Sequence, residues 1–384
     1  MKLLFLTAVL CLALILCACT NLSVPTSSKI DIQASGDINQ ALPQPSENSL
    51  NISKISLSKE MDISDIDFIV PCNSNTVYIL GRKKGQELAK DENELVLAVY
   101  NIETAVVHVL YRGPYRTNNI ENMAVYRDED GIDTVFTGQK MFVVNNGKLV
   151  SMSNWEKKCQ REAFVNLKHK KMVYVDSETL DMYYFDMETE DNTLIYEAEA
   201  FASMEESRAA LYPYNVRLSG DSNKILYQTA RGNAMFYEHV ITTSPTGKNL
   251  SKTDLLPVKG LYLNAVWYED GFITIETTDQ SNSAPLGMAT FFTQYDSMGK
   301  VKSSLSVECL ITAMQPKFYE NNPWLAFEHQ TDETKILSLY NAIEEKIYNV
   351  HKSDNYFVSP TVTPNGKRVL WAENEKLCYM EVRQ

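Results

Sequence analysis

The sequence predicts an all-β protein made of repeated units behind an export segment. Three observations lead to this prediction. Helical periodicity is almost absent from residues 61–384, two short strand-and-turn patterns recur along them, and turn-forming dipeptides separate the predicted strands. Ahead of them, an apolar run is followed by a polar stretch that lacks the residues of a hydrophobic core.

The chain begins with a segment typical of a cleaved export signal. Lys2 precedes an apolar run over residues 3–16, which is 14 residues long, whereas a membrane-spanning helix needs about 20. The sequence Leu-Cys-Ala-Cys at residues 16–19 resembles a bacterial lipobox, in which a leucine and a small residue precede an acylated cysteine. The resemblance implies that residues 1–18 are a lipoprotein signal peptide and that Cys19 is the lipid attachment site. An uncleaved anchor and plain secretion are the alternatives.

Residues 19–52 are predicted to be a flexible tether. Residues 20–51 are rich in Ser, Pro, Asn and Gln and carry only four charged side chains, a composition that cannot build a core. A coil of this length would let a folded body sit about 30 Å from the bilayer. We therefore expect a lipid-anchored protein on the extracytoplasmic face of a bacterial cell membrane, with residues 53–384 as the folded domain.

The first recurring pattern is a turn followed by a short strand that ends in an aromatic or aliphatic residue. Clear copies occupy residues 166–174, 219–227 and 363–371. One strand-ending residue is found in each unit: Tyr78, Phe136, Tyr174, Tyr227, Ile275, Phe327 and Trp371. Dividing the 324 residues from 61 to 384 by seven gives about 46 residues per unit, which is in the range of propeller blades.

The second pattern is a hairpin in which Asn or Asp follows a strand and is expected to cap its own turn. It occurs at Asn101, Asp186, Asp296 and Asn341. Tighter turn signals, suited to positive φ, occur at Asp130-Gly131, Asn146-Gly147, Asp270-Gly271 and Asn365-Gly366. Because all these pairings are local, each unit is predicted to be an antiparallel meander of three or four strands.

Seven such units favour a β-propeller, since radial closure buries both apolar faces of every sheet and protects the sheet edges. The last unit ends near the chain terminus, so residues 54–58 are expected to supply its fourth strand and fasten the ring. A pair of two-sheet β-sandwiches is the rival architecture.

The turns that begin Ser219-Gly220-Asp221 and Thr363-Pro364-Asn365-Gly366 resemble the Ser-Pro-Asp-Gly strand motif of TolB-like and WD40-like propellers. The resemblance covers most of residues 61–384 and implies a β-propeller. A fold does not by itself define a function.

A search for catalytic motifs finds no Gly-x-Ser-x-Gly elbow, phosphate-binding loop or dinucleotide fingerprint. The five histidines are scattered rather than spaced as metal ligands: His108, His169, His239, His329 and His351. We therefore expect no enzyme activity, cofactor or metal. Carboxylate pairs of a glycosidase could still come from different blades, and these leave no local spacing to recognise.

Two smaller features leave alternatives open. The acidic segment 128–133 could hold calcium or could be a solvated hairpin turn, and it departs from the EF-hand pattern. Besides Cys19, the predicted mature chain contains four cysteines: Cys72, Cys159, Cys309 and Cys378. Cys72 and Cys378 fall in the first and last blades, so they are the one disulfide that closure suggests, against the alternative of buried thiols.

Charge limits the partners. Without Lys2, 35 basic residues stand against 49 acidic ones, a net charge of −14 that would repel nucleic acid and anionic lipid. The function expected from the sequence is a non-catalytic binding or scaffolding module, held at the membrane by its lipid anchor, with a protein, peptide or cell-wall glycan docked on the ring face. A carbohydrate-active enzyme with carboxylates in the channel and a sensory or solute-binding accessory lipoprotein are the alternatives.

Overall fold

The computed structural model describes residues 53–56, 61–83, 93–115, 123–138, 140–154, 160–198, 211–231, 236–254, 260–279, 288–315, 317–331 and 334–382. The predicted signal peptide and tether, including Cys19, lie outside these residues. Within the described part of the chain, no helix combines the length and the apolar composition that crossing a bilayer requires.

In the described residues, 28 strands form seven antiparallel sheets of four strands each, which are the predicted blades. Blade one contains β2 (Ile63–Pro71), β3 (Thr76–Lys83), β4 (Asn93–Asn101) and β5 (Val106–Tyr115), and blade two β6 (Ala124–Arg127), β7 (Ile132–Phe136), β8 (Lys140–Asn145) and β9 (Lys148–Asn154). Blade three contains β10 (Gln160–Asn166), β11 (Lys171–Asp176), β12 (Met182–Asp186) and β13 (Asn192–Tyr196), and blade four β14 (Tyr212–Leu218), β15 (Ile225–Arg231), β16 (Phe236–Thr243) and β17 (Asn249–Asp254). Blade five contains β18 (Gly260–Tyr268), β19 (Gly271–Asp279), β20 (Met288–Tyr295) and β21 (Val301–Val307), and blade six β22 (Leu310–Met314), β23 (Trp324–Thr331), β24 (Thr334–Asn341) and β25 (Lys346–Ser353). Blade seven contains β26 (Val358–Val362), β27 (Arg368–Glu373), β28 (Lys376–Glu381) and β1 (Ser53–Ser56).

The first strand of each blade lies innermost. First strands of neighbouring blades contact one another, as β10 contacts β14 and β2 contacts β26, so together they surround a central channel. Because every sheet is antiparallel, the connections from first to second strand all lie at one end of the ring. The connections from third to fourth strand lie at the same end. We call this end the turn face. Its first-to-second connections are residues 72–75, 128–131, 167–170, 219–224, 269–270, 315–323 and 363–367.

The ring is closed by β1, the fourth strand of blade seven. Ser53 pairs with Tyr379 and Ser56 pairs with Lys376, which confirms the predicted closure, although residues 57 and 58 lie outside the described part of the chain. This antiparallel register places Ser53 at the turn face. The seven separate sheets exclude the rival sandwich pair.

The seven strand-ending residues predicted from the sequence all lie in the second strands of their blades. None is more than 5% exposed. Trp371 packs with Leu337 and Leu339 of blade six, and Tyr78 packs with Val135 and Phe142 of blade two. Full burial of a large apolar side chain contributes about 1.5–3 kcal/mol, so these two positions help to hold neighbouring blades together.

The hairpin predictions are confirmed in their hydrogen bonds. In the four hairpins the side-chain oxygen accepts backbone N–H groups two to four residues later, with shortest bonds of 2.9 or 3.0 Å, at Asn101, Asp186, Asp296 and Asn341. Asn146 and Gly147 form a two-residue turn between β8 and β9, with φ values of 49° and 71°. Asn and Gly tolerate this left-handed region better than other residues do.

The two turns that carry the propeller-like motif fold alike. In blade four, the Ser219 hydroxyl donates to Asp221 Oδ1 at 2.6 Å and accepts the Lys224 N–H at 3.0 Å. The equivalent bonds in blade seven, at 2.8 and 3.0 Å, join Thr363, Asn365 and Arg368. The bonds that shape each turn therefore come from its own residues, while backbone oxygens of the two turns also accept bonds from Asn166 of blade three and Asn322 of blade six.

The innermost strands are irregular, which the sequence did not indicate. Six of the seven first-to-second strand pairs contain a register shift, in all blades except blade two. Such bulges bend a strand and increase its twist, as strands packed around a narrow channel require.

Candidate binding site at the channel mouth

A cavity of about 230 Å³ lies where the channel reaches the turn face. It is lined by β6, by the ends of β10, β14 and β18, and by the connection that follows β22. Five blades therefore contribute, and no single segment of the chain builds the cavity. Its volume suits one ring-sized group.

Aromatic side chains form much of the cavity wall: Tyr126, Phe164, Trp267, Phe318 and Tyr319. The indole N–H of Trp267 donates to the carbonyl oxygen of Arg217 at 3.4 Å, which fixes the orientation of its ring. Phe318 packs on Tyr268, with ring centroids 4.9 Å apart. The wall therefore offers flat apolar surfaces that are held in place before any ligand arrives.

Cationic side chains surround these rings. The Arg217 guanidinium lies 5.6 Å from the centroid of the Phe164 ring, and the Lys317 ammonium lies 4.5 Å from that of Tyr319, both cation–π distances. Lys168 and a single carboxylate, Glu320, complete the charged lining. Three cations against one anion is the reverse of the whole chain, which has a net charge of −13.

The Lys317 side chain is exposed at the channel mouth, but the blades of the propeller lie around it. Burial lowers the pKa of its amine to about 8, because the charged form loses part of its hydration. Among the described residues, the only titratable group that acts on it is the Cys72 thiol, which raises the pKa slightly. Burial raises the pKa of that thiol to about 12, so it is neutral at pH 7 and provides no counter-charge.

The connection at residues 315–323 holds Lys317 in position. Gln315 donates to the carbonyl oxygen of Ile69 in blade one at 3.2 Å and also bonds the hydroxyl of Ser359 in blade seven. Tyr319 bonds Thr361 of blade seven. This connection of blade six is therefore fastened to blades five, seven and one, and it covers part of the channel mouth.

The carboxylates at the two ends of the acidic segment 128–133 accept hydrogen bonds from other groups of this chain. Asp128 Oδ1 accepts the N–H groups of Asp130 and Ile132, at 3.0 and 2.8 Å, as a turn-capping residue does. In the described residues, no group of three or more His, Cys, Asp or Glu side chains is close enough to share a metal ion. The hairpin interpretation accounts for this segment.

The last carboxylate of that segment, Asp133, is buried between blades one and two. It accepts two bonds from Arg127, at 2.6 and 2.7 Å, and one from the Tyr78 hydroxyl at 2.6 Å. The Cys72 thiol lies 3.3 Å from the same carboxylate. The bidentate pair lies within blade two, and the bonds from Tyr78 and Cys72 connect it to blade one, which is a structural role.

The suggested disulfide between Cys72 and Cys378 is not formed, and both thiols are free. Closure makes blades one and seven neighbours, but Cys72 packs in the cluster between blades one and two. Cys378 packs in the cluster between blades six and seven. The two thiols point away from the shared interface, so that suggestion was wrong. Cys159 lies outside the described residues.

The histidines do not come together as a site. His329 in β23 is fully buried, neither of its ring nitrogens has a hydrogen-bond partner, and burial lowers its pKa to about 4. His351 lies 3.5 Å from Glu373 at the rim, and its pKa is lowered, chiefly by burial. The remaining three do not join a metal-binding group: His108, His169 and His239.

The acid pair nearest to a catalytic arrangement among the described innermost strands is Asp65 and Asp67 on β2. Burial raises the pKa of Asp67 to about 6, against the opposing effect of Arg82. Arg82 lies 3.1 Å from Asp67 and 3.8 Å from Asp65. Neither carboxylate lines the aromatic cavity, so the described residues do not combine converging acids with aromatic platforms.

Comparison with known proteins supports the fold. No protein-family model and no curated protein matches the sequence. The β-propeller domain of Cps50 (Swd1) from Myceliophteria thermophila is 10% identical with a TM-score of 0.51, over 83% of this chain and 99% of that chain. A chain of the mitotic checkpoint complex is 11% identical with a TM-score of 0.50, over 95% of this chain and 100% of that chain. Hydrazine synthase from Kuenenia stuttgartiensis is 12% identical with a TM-score of 0.51, over 84% and 96%. The chain thus has a WD40-like, seven-bladed β-propeller fold, which is compatible with a binding or scaffolding module.

Proposed function

We propose that this protein is a non-catalytic binding module, lipid-anchored through Cys19 on the extracytoplasmic face of a bacterial membrane. Its partner docks at the channel mouth. The observation that carries this proposal is the cavity itself, in which rigid aromatic faces and three cations converge beside one carboxylate. Such a lining suits binding, whereas glycoside hydrolysis needs a second converging acid.

The topology supports docking on the turn face. Ser53, where the folded domain begins, lies at the turn face, as the cavity does. A tether over residues 19–52 would therefore join the ring on its binding side. With a reach of about 30 Å, it would keep the cavity within range of partners in the cell envelope.

The anchoring part is tested by fractionation of cells that produce the full chain. The wild type should sediment with membranes, and Cys19→Ser should appear in the released fraction, because it cannot be acylated. A Cys19→Ser protein that stays with the membranes would contradict the anchor.

The binding part is tested by affinity capture from solubilised membranes and from cell-wall digests. Trp267→Ala should lose a partner that the wild type retains, since it removes one aromatic wall of the cavity. Tyr356→Ala is the matched control, because this tyrosine is 62% exposed and lies outside the cavity lining. A wild type that retains nothing, or a Trp267→Ala variant that retains everything, would overturn the proposed function.

A further inference from the structure

We infer that the channel-mouth cavity binds an acidic sugar unit, whose anionic group meets Lys317 and whose ring lies against Trp267. This inference rests on the proposed binding function and adds the chemical class of the ligand. The anion can be a carboxylate or a phosphate, since both present oxygens to an ammonium group.

The need for an anion follows from the surroundings of Lys317. Its ammonium lies over the Tyr319 ring, and no carboxylate among the described residues acts on it. An ammonium group that has no counter-charge among the described residues gains from an incoming anion. Lys168 and Arg217 add positive charge to the same lining, against Glu320 alone.

The need for a ring follows from the wall opposite. Trp267 lines the cavity and also packs on a buried cluster that includes Leu226 and Phe272, so its position is fixed from behind. The Phe164 ring already has the Arg217 guanidinium over it. Trp267 is therefore the platform for a flat, largely apolar face, and the face of a sugar ring has this character while its hydroxyls remain in water.

The channel edges argue against an extended peptide. A peptide that adds to a sheet needs a regular row of free backbone groups. Register shifts interrupt six of the seven innermost strands, and the seventh, β6, is only four residues long, so the channel does not offer a long row of this kind. Recognition then depends on side chains in a cavity of about 230 Å³, which favours a compact ring.

The experiment is calorimetric titration of the folded full chain with four probes: glucuronate, glucose 6-phosphate, glucose and an acidic tripeptide. We expect both charged sugars to bind at least tenfold more tightly than glucose. Lys317→Gln should remove this difference. The matched control is Lys302→Gln, at an exposed position on β21, and it should keep the difference. Melting curves confirm that both variants are folded.

The outcomes separate the inference from the proposed function. Equal binding of glucose and glucuronate, or an unchanged difference in Lys317→Gln, overturns the anionic part. Binding of the tripeptide without any sugar overturns the sugar assignment, and so does failure of all three sugars to bind at millimolar concentration. In each of these cases the capture experiment with Trp267→Ala still decides the proposed function, because it uses no sugar. Preference for one charged sugar identifies its anion as carboxylate or phosphate and supports the inference.

Discussion

The turns of blades four and seven differ from the connection of blade six, although all three join a first strand to a second. The turns that begin at Ser219 and Thr363 close on themselves through a hydroxyl, a side-chain oxygen and a backbone amide. The blade-six connection has nine residues, where the other six have two to six, and its Gln315 side chain bonds to blades one and seven.

This difference shows where the molecule departs from its own repeat. A turn of this kind can recur in any blade, since the side-chain bonds that shape it join residues within the turn itself. The blade-six connection depends on three other blades, and in return it places Lys317 and two aromatic residues in the channel mouth. Blade six also buries His329 in its second strand without a hydrogen-bond partner. Three predictions test whether these departures matter.

The largest effect is expected from His329. Its pKa falls from 6.5 in the unfolded chain to about 4 in the folded one, so between these pH values only the unfolded state takes up its proton. The stability that depends on a neutral His329 is complete above pH 6.5 and is lost as the pH falls towards 4. The free energy of unfolding should fall by about 3 kcal/mol over this range. Urea unfolding at pH 7 and pH 4.5 measures it.

Two variants make this measurement specific. His329→Leu should lack that part of the pH dependence, because leucine does not titrate. His169→Gln, at a half-buried turn position, should show the same loss as the wild type. An equal loss in His329→Leu would assign the acid sensitivity to other groups.

A smaller effect is expected at a regular turn. Thr363→Ala removes the hydroxyl that accepts the Arg368 N–H and donates to Asn365, and Thr363 is fully buried. Each lost bond of this kind costs about 1 kcal/mol, so the free energy of unfolding should fall by about 1–2 kcal/mol. Thr363→Ser retains the hydroxyl and should lose less than half of that amount in urea unfolding. A serine variant as unstable as the alanine variant would show that the lost methyl group matters and the hydroxyl does not.

An effect of opposite sign is expected at Lys317, and we rank it last because this side chain is exposed and water screens its charge. Its folded pKa of about 8 lies below the value of 10.5 for the free side chain, so the charged form destabilises the fold. Lys317→Met should therefore melt higher than the wild type at pH 7. The unfolded state holds more protons than the folded state between pH 8 and 10.5, so wild-type stability rises through that range. The difference in melting temperature between Lys317→Met and the wild type should therefore narrow. A melting-temperature difference that persists at pH 10.5 would show that the methionine acts through packing and not through the lost charge.

The repeat could be predicted because it is coded locally. Tyr227 and Trp371 each follow a recognisable turn, and Asp296 follows a strand by a fixed spacing, so a few residues decide each structure. The closure by β1 followed from the position of the last unit alone. The cavity has no such code, because Trp267 and Lys317 belong to different blades and meet only in the closed ring.

The disulfide suggestion failed for a related reason. Neighbouring blades share one interface, and alternate residues of a strand face opposite interfaces. Leu377 packs towards blade one, whereas Cys378 packs towards blade six. Proximity of two blades therefore does not bring all of their residues together. The length of the blade-six connection was the one signal in the sequence that could have indicated the channel mouth.

The closing strand also constrains how the chain folds. Ser56 and Lys376, which pair in the finished ring, are 320 residues apart in the sequence. Contacts at such separations form late, because the entropy of closing the loop must be overcome first. The other six blades can form from consecutive segments, whereas β1 must wait unpaired until blade seven exists. The earliest strand of the folded domain is thus the last to be placed, and we expect unfolding to begin with its release.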